Sequence, residues 1–168
     1  DGYSAGISGY STNKLVYSND LFEEKALDFI TKNKEKPFFL YLALTVPHAN
    51  NEAGRFNESG MEVPSIGIYE KEEWPDNQKR HAAMIGRLDL TVGLVIQKLR
   101  DLGLDDNTLV IFTSDNGPHN EGGADAEFFN SNGPLRGTKR DLYEGGIRVP
   151  TIARWPGKIE KGSISDHV

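Results

Sequence analysis

Apolar positions along this chain fall into two kinds of pattern. Phe38 to Leu44 and Leu109 to Phe112 are short continuous runs. Their aromatic and β-branched content, and their bounds at Pro37 and Pro47 or at Thr113 to Pro118, predict buried strands. Elsewhere the apolar residues recur at three- and four-residue steps. Phe22, Ala26, Phe29 and Ile30 share one face of a helix predicted from Asp20 to about Lys34, with Asp20 and Glu23 resembling a capping box at its start. Ile85, Leu88, Val92, Val95, Ile96 and Leu99 mark a long helix from Pro75-Asp76 to about Leu102, stopped by Gly103. A last short strand is expected over Ile147 to Arg154, broken by Pro150. Helix, strand, long loop, long helix, strand, long loop and strand in that order predict an α/β fold with a mostly parallel sheet flanked by helices.

Between these elements the chain is polar. Asp1 to Tyr17 is rich in Gly, Ser and Tyr and reads as loop with one short strand. Asn51 to Pro75 is a long excursion of the kind that is functional or mobile in compact domains. Lys32, Lys34 and Lys36 suit the end of the first helix, and Glu70, Glu72 and Glu73 suit a solvated face. Arg87 and Asp89, set among apolar positions, read as a surface pair or a polar anchor.

With 168 residues the chain is long enough for one domain with a core. Its formal charge is −6 and its basic residues are scattered, which argues against nucleic acid as a partner. No apolar run reaches membrane-spanning length. The absence of cysteine excludes disulfides, thiolate metal sites and a cysteine nucleophile within these residues. The polar, methionine-free start and an end without a closing element lead to the expectation of a piece of a longer protein, truncated at both ends.

Both strand-like runs end in chemistry. Leu109 to Phe112 runs into Thr113, Ser114, Asp115 and Asn116, then Gly117-Pro118 and His119. Such a stop delivers oxygen-bearing side chains to the carboxyl edge of a sheet, where open α/β sheets place ligands. Asp115 and Asn116 are hard oxygen donors suited to a cation such as calcium, although an Asx turn would use the same residues. Phe38 to Leu44 ends at Pro47-His48, on the same edge. A third loop, glycine-rich from His119 to Arg140, brings Lys139. A cation site beside a lysine and histidines suits hydrolysis of a sulfate or phosphate ester, whose charge spreads over several oxygens.

Four motifs in this order resemble the sulfatases of the alkaline-phosphatase-like superfamily: Pro47-His48 after an apolar strand, Asp115-Asn116-Gly117-Pro118, Lys139 four residues before Tyr143-Glu144-Gly145-Gly146, and Trp155-Pro156-Gly157. The likeness runs from about Asp20 to the end. It implies that residues 1–168 form one partial catalytic domain, its middle to later portion, with a partial alkaline-phosphatase-like sandwich. It implies that Asp115 and Asn116 ligate calcium, that Lys139 binds a sulfate oxygen, and that His48 contacts the sulfate and helps the alcohol leave. His119 and Arg136 would shape the substrate pocket. Glu144, Gly145, Gly146 and Arg148 would hold the Lys139 loop, with Arg148 structural.

The sequence also departs from that family. Its nucleophile is a formylglycine made from a Cys/Ser-x-Pro-x-Arg motif, and the nearest match here, Asn132-Gly133-Pro134-Leu135-Arg136, has Asn in the nucleophile position. The amino-terminal Asp-Asp metal pair and the first Lys-x-His segment are also missing. The expectation is therefore part of an exported sulfatase acting on a sulfated small molecule or glycan. The remaining calcium ligands, the formylglycine and the remainder of the domain would come from outside this chain, and the chain alone would be inactive. A related metal-dependent phosphatase or phosphodiesterase, and a non-catalytic anion-binding fragment, stay open as alternatives.

Overall fold

The structure, a computed structural model, describes residues 13–56 and 58–165. The glycine-rich opening stretch lies mostly outside them. Its base is a pair of packed helices, α1 (Ser18–Asn33) and α2 (Asp76–Asp101). α1 buries Asn19, Ala26 and Ile30, and α2 buries His81 to Met84, Thr91 and Leu99. The seam between them is partly polar. Asn19 donates from Nδ2 to Thr91 Oγ1 at 3.2 Å, and Thr91 donates to Glu23 Oε2 at 2.7 Å. Arg87 pairs with Asp20 and lies over the Tyr17 ring, while Asp89 is exposed.

This corrects the expected capping box. The helix starts at Ser18 with Tyr17 as N-cap and no side-chain cap bond, two residues before Asp20. Asp20 and Glu23 face α2 instead, because partners on a neighbouring helix outcompete the orphan amides of the first turn. The end of α2 is as expected. Gly103 at φ 69 lets its own N–H reach Arg100 O at 3.0 Å and the Leu104 N–H reach Leu99 O at 2.8 Å, a Schellman closure.

β1 (Val110–Thr113) pairs with β2 (Thr151–Arg154) in an antiparallel two-stranded sheet, Val110 opposite Arg154 and Thr113 opposite Thr151. A single helical turn, α3 (Glu144–Ile147), precedes β2. The fold is α/β, but the mostly parallel sheet is not seen among the described residues. The reason is the connection. Parallel pairing needs a crossover back to the starting edge. Here residues 114–150 stay at the edge where β1 ends, so the chain re-enters in the opposite direction. Phe38 to Leu44 is not a laddered strand either. Its residues alternate between half-buried and exposed as a strand's would, with Phe39 86% and Tyr41 81% exposed, but no described neighbour pairs with it.

At the far end of β2, Arg154 donates two bonds to Asp105 at 2.6 and 2.7 Å, and Trp155 Nε1 donates to Asp106 O at 3.0 Å. The Arg154 hydrogen bond holds the Asp105 carboxyl below its ordinary value. The core cluster of Val46, Ala49, Met61, Met84 and Ala124, with Leu44, Val63 and Leu88 against it, includes the residues on either side of Pro47-His48 and so underlies the site described below.

Candidate active site

Three loops converge. The first follows the extended segment. Val46 and Ala49 are buried, the Val46-Pro47 peptide is cis, and His48 N–H donates to Thr45 O at 2.9 Å. With both neighbours anchored in the core, the His48 imidazole is left partly exposed above them. Its Nδ1 lies 2.7 Å from Ala49 O. A carbonyl can only accept, so Nδ1 carries the hydrogen and the neutral ring presents an unprotonated Nε2.

The second loop leaves β1, and the third carries Lys139. Backbone contacts fuse them. Lys139 N–H donates to Pro118 O at 2.7 Å, Gly117 N–H to Gly146 O at 3.0 Å, and Gly145 N–H to Arg136 O at 2.8 Å. Glycine is required at two of these crossings. A Cβ on Gly117 would sit 1.9 Å from Gly145 O, and one on Gly145 would sit 2.1 Å from Gly137 O. The Tyr143 to Gly146 segment thus lets three backbone strands touch. Arg148 pairs with Glu144 one turn away.

The loops bring together His48, Lys139 and His119. Lys139 Nζ donates to His48 Nε2 at 2.7 Å, joining residues 91 positions apart. His119 stacks on His48 with ring centroids 5.3 Å apart. The N–H of Glu121 donates to His119 Nδ1 at 3.1 Å, so His119 Nε2 carries the hydrogen and donates to Pro47 O at 3.3 Å. Both nitrogens of this buried ring are therefore engaged by backbone. Behind it, buried His81 of α2 lies 5.8 Å away, followed by Phe129 and Trp74. Burial lowers the pKa of both His81 and His119, and the charge of His119 adds to this at His81 as that of His48 does at His119.

Arg136 is not brought into this group by any contact; its guanidinium stacks 3.7 Å from the Tyr143 ring centroid. Asp115 and Asn116 sit on the same turn as Gly117, fused by backbone to the Lys139 loop, but make no side-chain contact with His48 or Lys139. Asp115 is exposed and its carboxylate has no partner among the described residues. Asn116 donates from Nδ2 to Gly117 O at 2.9 Å, which leaves its amide oxygen unpaired among them. Two adjacent free oxygens fit part of a calcium shell of about six to eight. No cluster of at least 3 His, Cys, Asp or Glu side chains able to hold a metal occurs among the described residues.

One site residue has no counterpart in the motifs. Glu121 places Oε2 3.3 Å from Lys139 Nζ and 3.2 Å from His48 Nε2, and Oε1 2.5 Å from Arg140 Nη2. Burial alone would raise its carboxyl; bonds and charge from Lys139, with Asn51 and Arg140, outweigh that and hold it below the ordinary value. The only signal in the sequence is an acid two residues past His119 in a loop leading toward Lys139.

Comparison with known proteins gives one family. The family model Sulfatase matches residues 2–168. Canis lupus familiaris N-acetylgalactosamine-6-sulfatase is 36% identical over 88% of this chain and 26% of its own length. Bacteroides thetaiotaomicron N-acetylgalactosamine-6-O-sulfatase is 37% identical over 84% of this chain and likewise 26% of its own length. The crystal structure of Ps i-CgsB in complex with k-i-k-neocarrahexaose superposes with a TM-score of 0.67 at 32% identity, covering 89% of this chain and 30% of that one. The chain thus spans about a quarter of the length of the curated relatives it matches.

Proposed function

The chain belongs to the sulfatase family, and we propose that the protein containing it hydrolyses sulfate esters of a sugar, with His48 and Lys139 at the reacting group. The observation that carries this reading is the 2.7 Å contact between Lys139 Nζ and His48 Nε2 at the meeting of three loops. An ammonium has three hydrogens. One goes to His48 and one to Glu121, and Lys139 keeps the third for an oxygen of an incoming sulfate. His48 stands with Nε2 toward the same point; once Nε2 has taken up a proton from solvent, it is the group that passes that proton to the departing alcohol oxygen. Buried Val46 and Ala49 anchor the His48 loop and backbone bonds anchor the Lys139 loop, so little reorganisation is needed when charge develops.

Asp115 and Asn116 are the residues of this chain that would hold calcium, as two ligands of a larger shell. Bound there, the ion supplies positive charge against the sulfate oxygens. The family's formylglycine nucleophile belongs outside this chain, as do the remaining ligands. We propose accordingly that residues 1–168 are one part of a single catalytic domain and are catalytically silent alone. The rest of that domain would complete the alkaline-phosphatase-like sheet by covering Phe39, Tyr41 and β1. The relatives' names and the bound neocarrahexaose of one neighbour favour a sulfated glycan as substrate. Export of the protein follows from family habit. No described helix is long and apolar enough to cross a membrane.

The test is hydrolysis of an aryl sulfate and of 6-sulfated N-acetylgalactosamine by the intact protein and by this chain alone. The intact protein is expected to be active and to lose about a thousandfold in kcat on Lys139→Ala. Wild-type rates in that variant, or turnover by the chain alone, contradict the reading.

A further inference from the structure

Glu121 is the acidic side chain through which all three loops of the site meet. It sits on the second loop, meets His48 and Asn51 of the first, and meets Lys139 and Arg140 of the third. Its side chain and that of Lys139 are each only 18% exposed. Lys139 and Arg140 are adjacent cations, and without a carboxylate between them they would push apart. Arg140 adopts φ 81, a left-handed conformation disfavoured for a residue with a side chain, and the turn directs its guanidinium to Glu121. Glu121 Oε2, Lys139 Nζ and His48 Nε2 form a triangle with sides of 2.7, 3.2 and 3.3 Å.

We propose that Glu121 is a positioning residue: its carboxylate holds the Lys139 ammonium against His48 Nε2 and so aligns both with one oxygen of the substrate. This rests on the reading of Lys139 and His48 as the groups at the reacting sulfate. Two consequences follow from its charge. It keeps Lys139 from turning away, which favours turnover. It also places a negative group beside the sulfate, which weakens binding of substrate and of free sulfate. A residue that merely supports the fold would not act on these in opposite directions.

Glu121→Gln in the intact protein keeps the size and removes the charge. The expected result is a fall in kcat of about tenfold to a hundredfold, an unchanged or lower KM, and tighter inhibition by inorganic sulfate. Glu121→Asp, which keeps the charge, recovers part of the rate. In the crystal structure of the Gln variant the distance from Lys139 Nζ to His48 Nε2 lengthens from 2.7 Å beyond hydrogen-bonding range. Wild-type kcat with an unmoved pair overturns the proposal. So does an equal loss of rate, sulfate affinity and melting temperature in both variants. If the intact protein hydrolyses no sulfate ester, the functional reading fails, and the position of Lys139 in the Gln variant still decides the role of Glu121.

Discussion

Around Lys139 the polar groups are partnered from several directions: Glu121 on one side, His48 on another, Pro118 O on its backbone. On the extended segment and the two-stranded sheet, by contrast, large apolar side chains are exposed among the described residues. Phe39 and Tyr41 stand almost fully in solvent, and Ile111 of β1 and Ile152 of β2 are 60% and 61% exposed. The difference shows that these two regions depend on different things. The loop cluster is fixed by contacts made within this chain, through backbone crossings and a shared carboxylate. The sheet has a formed strand pair but leaves Ile111 and Ile152 exposed, and exposed apolar side chains of this kind mark an interface when they are contiguous.

The largest effect expected in either region comes from the crossings. Gly145→Ala would force a methyl to within 2.1 Å of Gly137 O. The loop with Lys139 must then move, at a cost of about 3 kcal/mol or more. Urea unfolding of the chain and its variant measures this; an unchanged midpoint would show that the loops are not fused as described. Phe39→Ser probes the other region. In the isolated chain, where the ring is exposed, the change should stay within about 0.5 kcal/mol. In the intact protein, if the remainder of the domain covers this face, it should cost about 2 kcal/mol. Equal small effects in both would mean that the face stays bare.

These contrasts track what could be read from the residues alone. His48 and Lys139 were legible because each has a local marker: an apolar run ending in Pro47-His48, and a lysine set before Tyr143 to Gly146. Glu121 was not, because an acid in a glycine-rich loop looks like any solvated carboxylate until Lys139, His48 and Arg140 surround it. The alternation of Phe38 to Leu44 was legible, but its neighbours were not, since a strand carries no mark of what it pairs with. The antiparallel pairing of β1 with β2 was not legible, because the path of residues 114–150 decides it and the loops along that path have no periodicity. Asp20 and Glu23 matched a local capping pattern that Arg87 and Thr91, far along the chain, overrode.

Smaller effects are expected from pH and from the polar seam. Thr91→Val leaves Asn19 and Glu23 without their shared hydroxyl and should cost about 1–3 kcal/mol; thermal unfolding reads it, and the loop cluster should keep its geometry. His81 and His119 have folded-state pKa values lowered by burial from 6.5. The unfolded chain therefore binds more protons than the folded one below that value. Their contribution is present in full above it and is lost as pH falls through the lowered folded-state values. Asp105 and Glu121, also lowered, add a further loss at more acid pH. Stability measured from pH 8 down to pH 4 should fall in that order, and His119→Asn should flatten its first part. A flat profile across the histidine range would contradict the buried stack.

The central claim is that His48 and Lys139 act on one substrate group as a unit. A double-mutant cycle on kcat/KM of the intact protein tests it directly, using His48→Ala, Lys139→Ala and the pair with an aryl sulfate. Strong coupling is predicted, with the double variant losing little more than the worse single one and an interaction of about 1 kcal/mol or more. Losses that simply add would place the two side chains in separate roles and contradict the account.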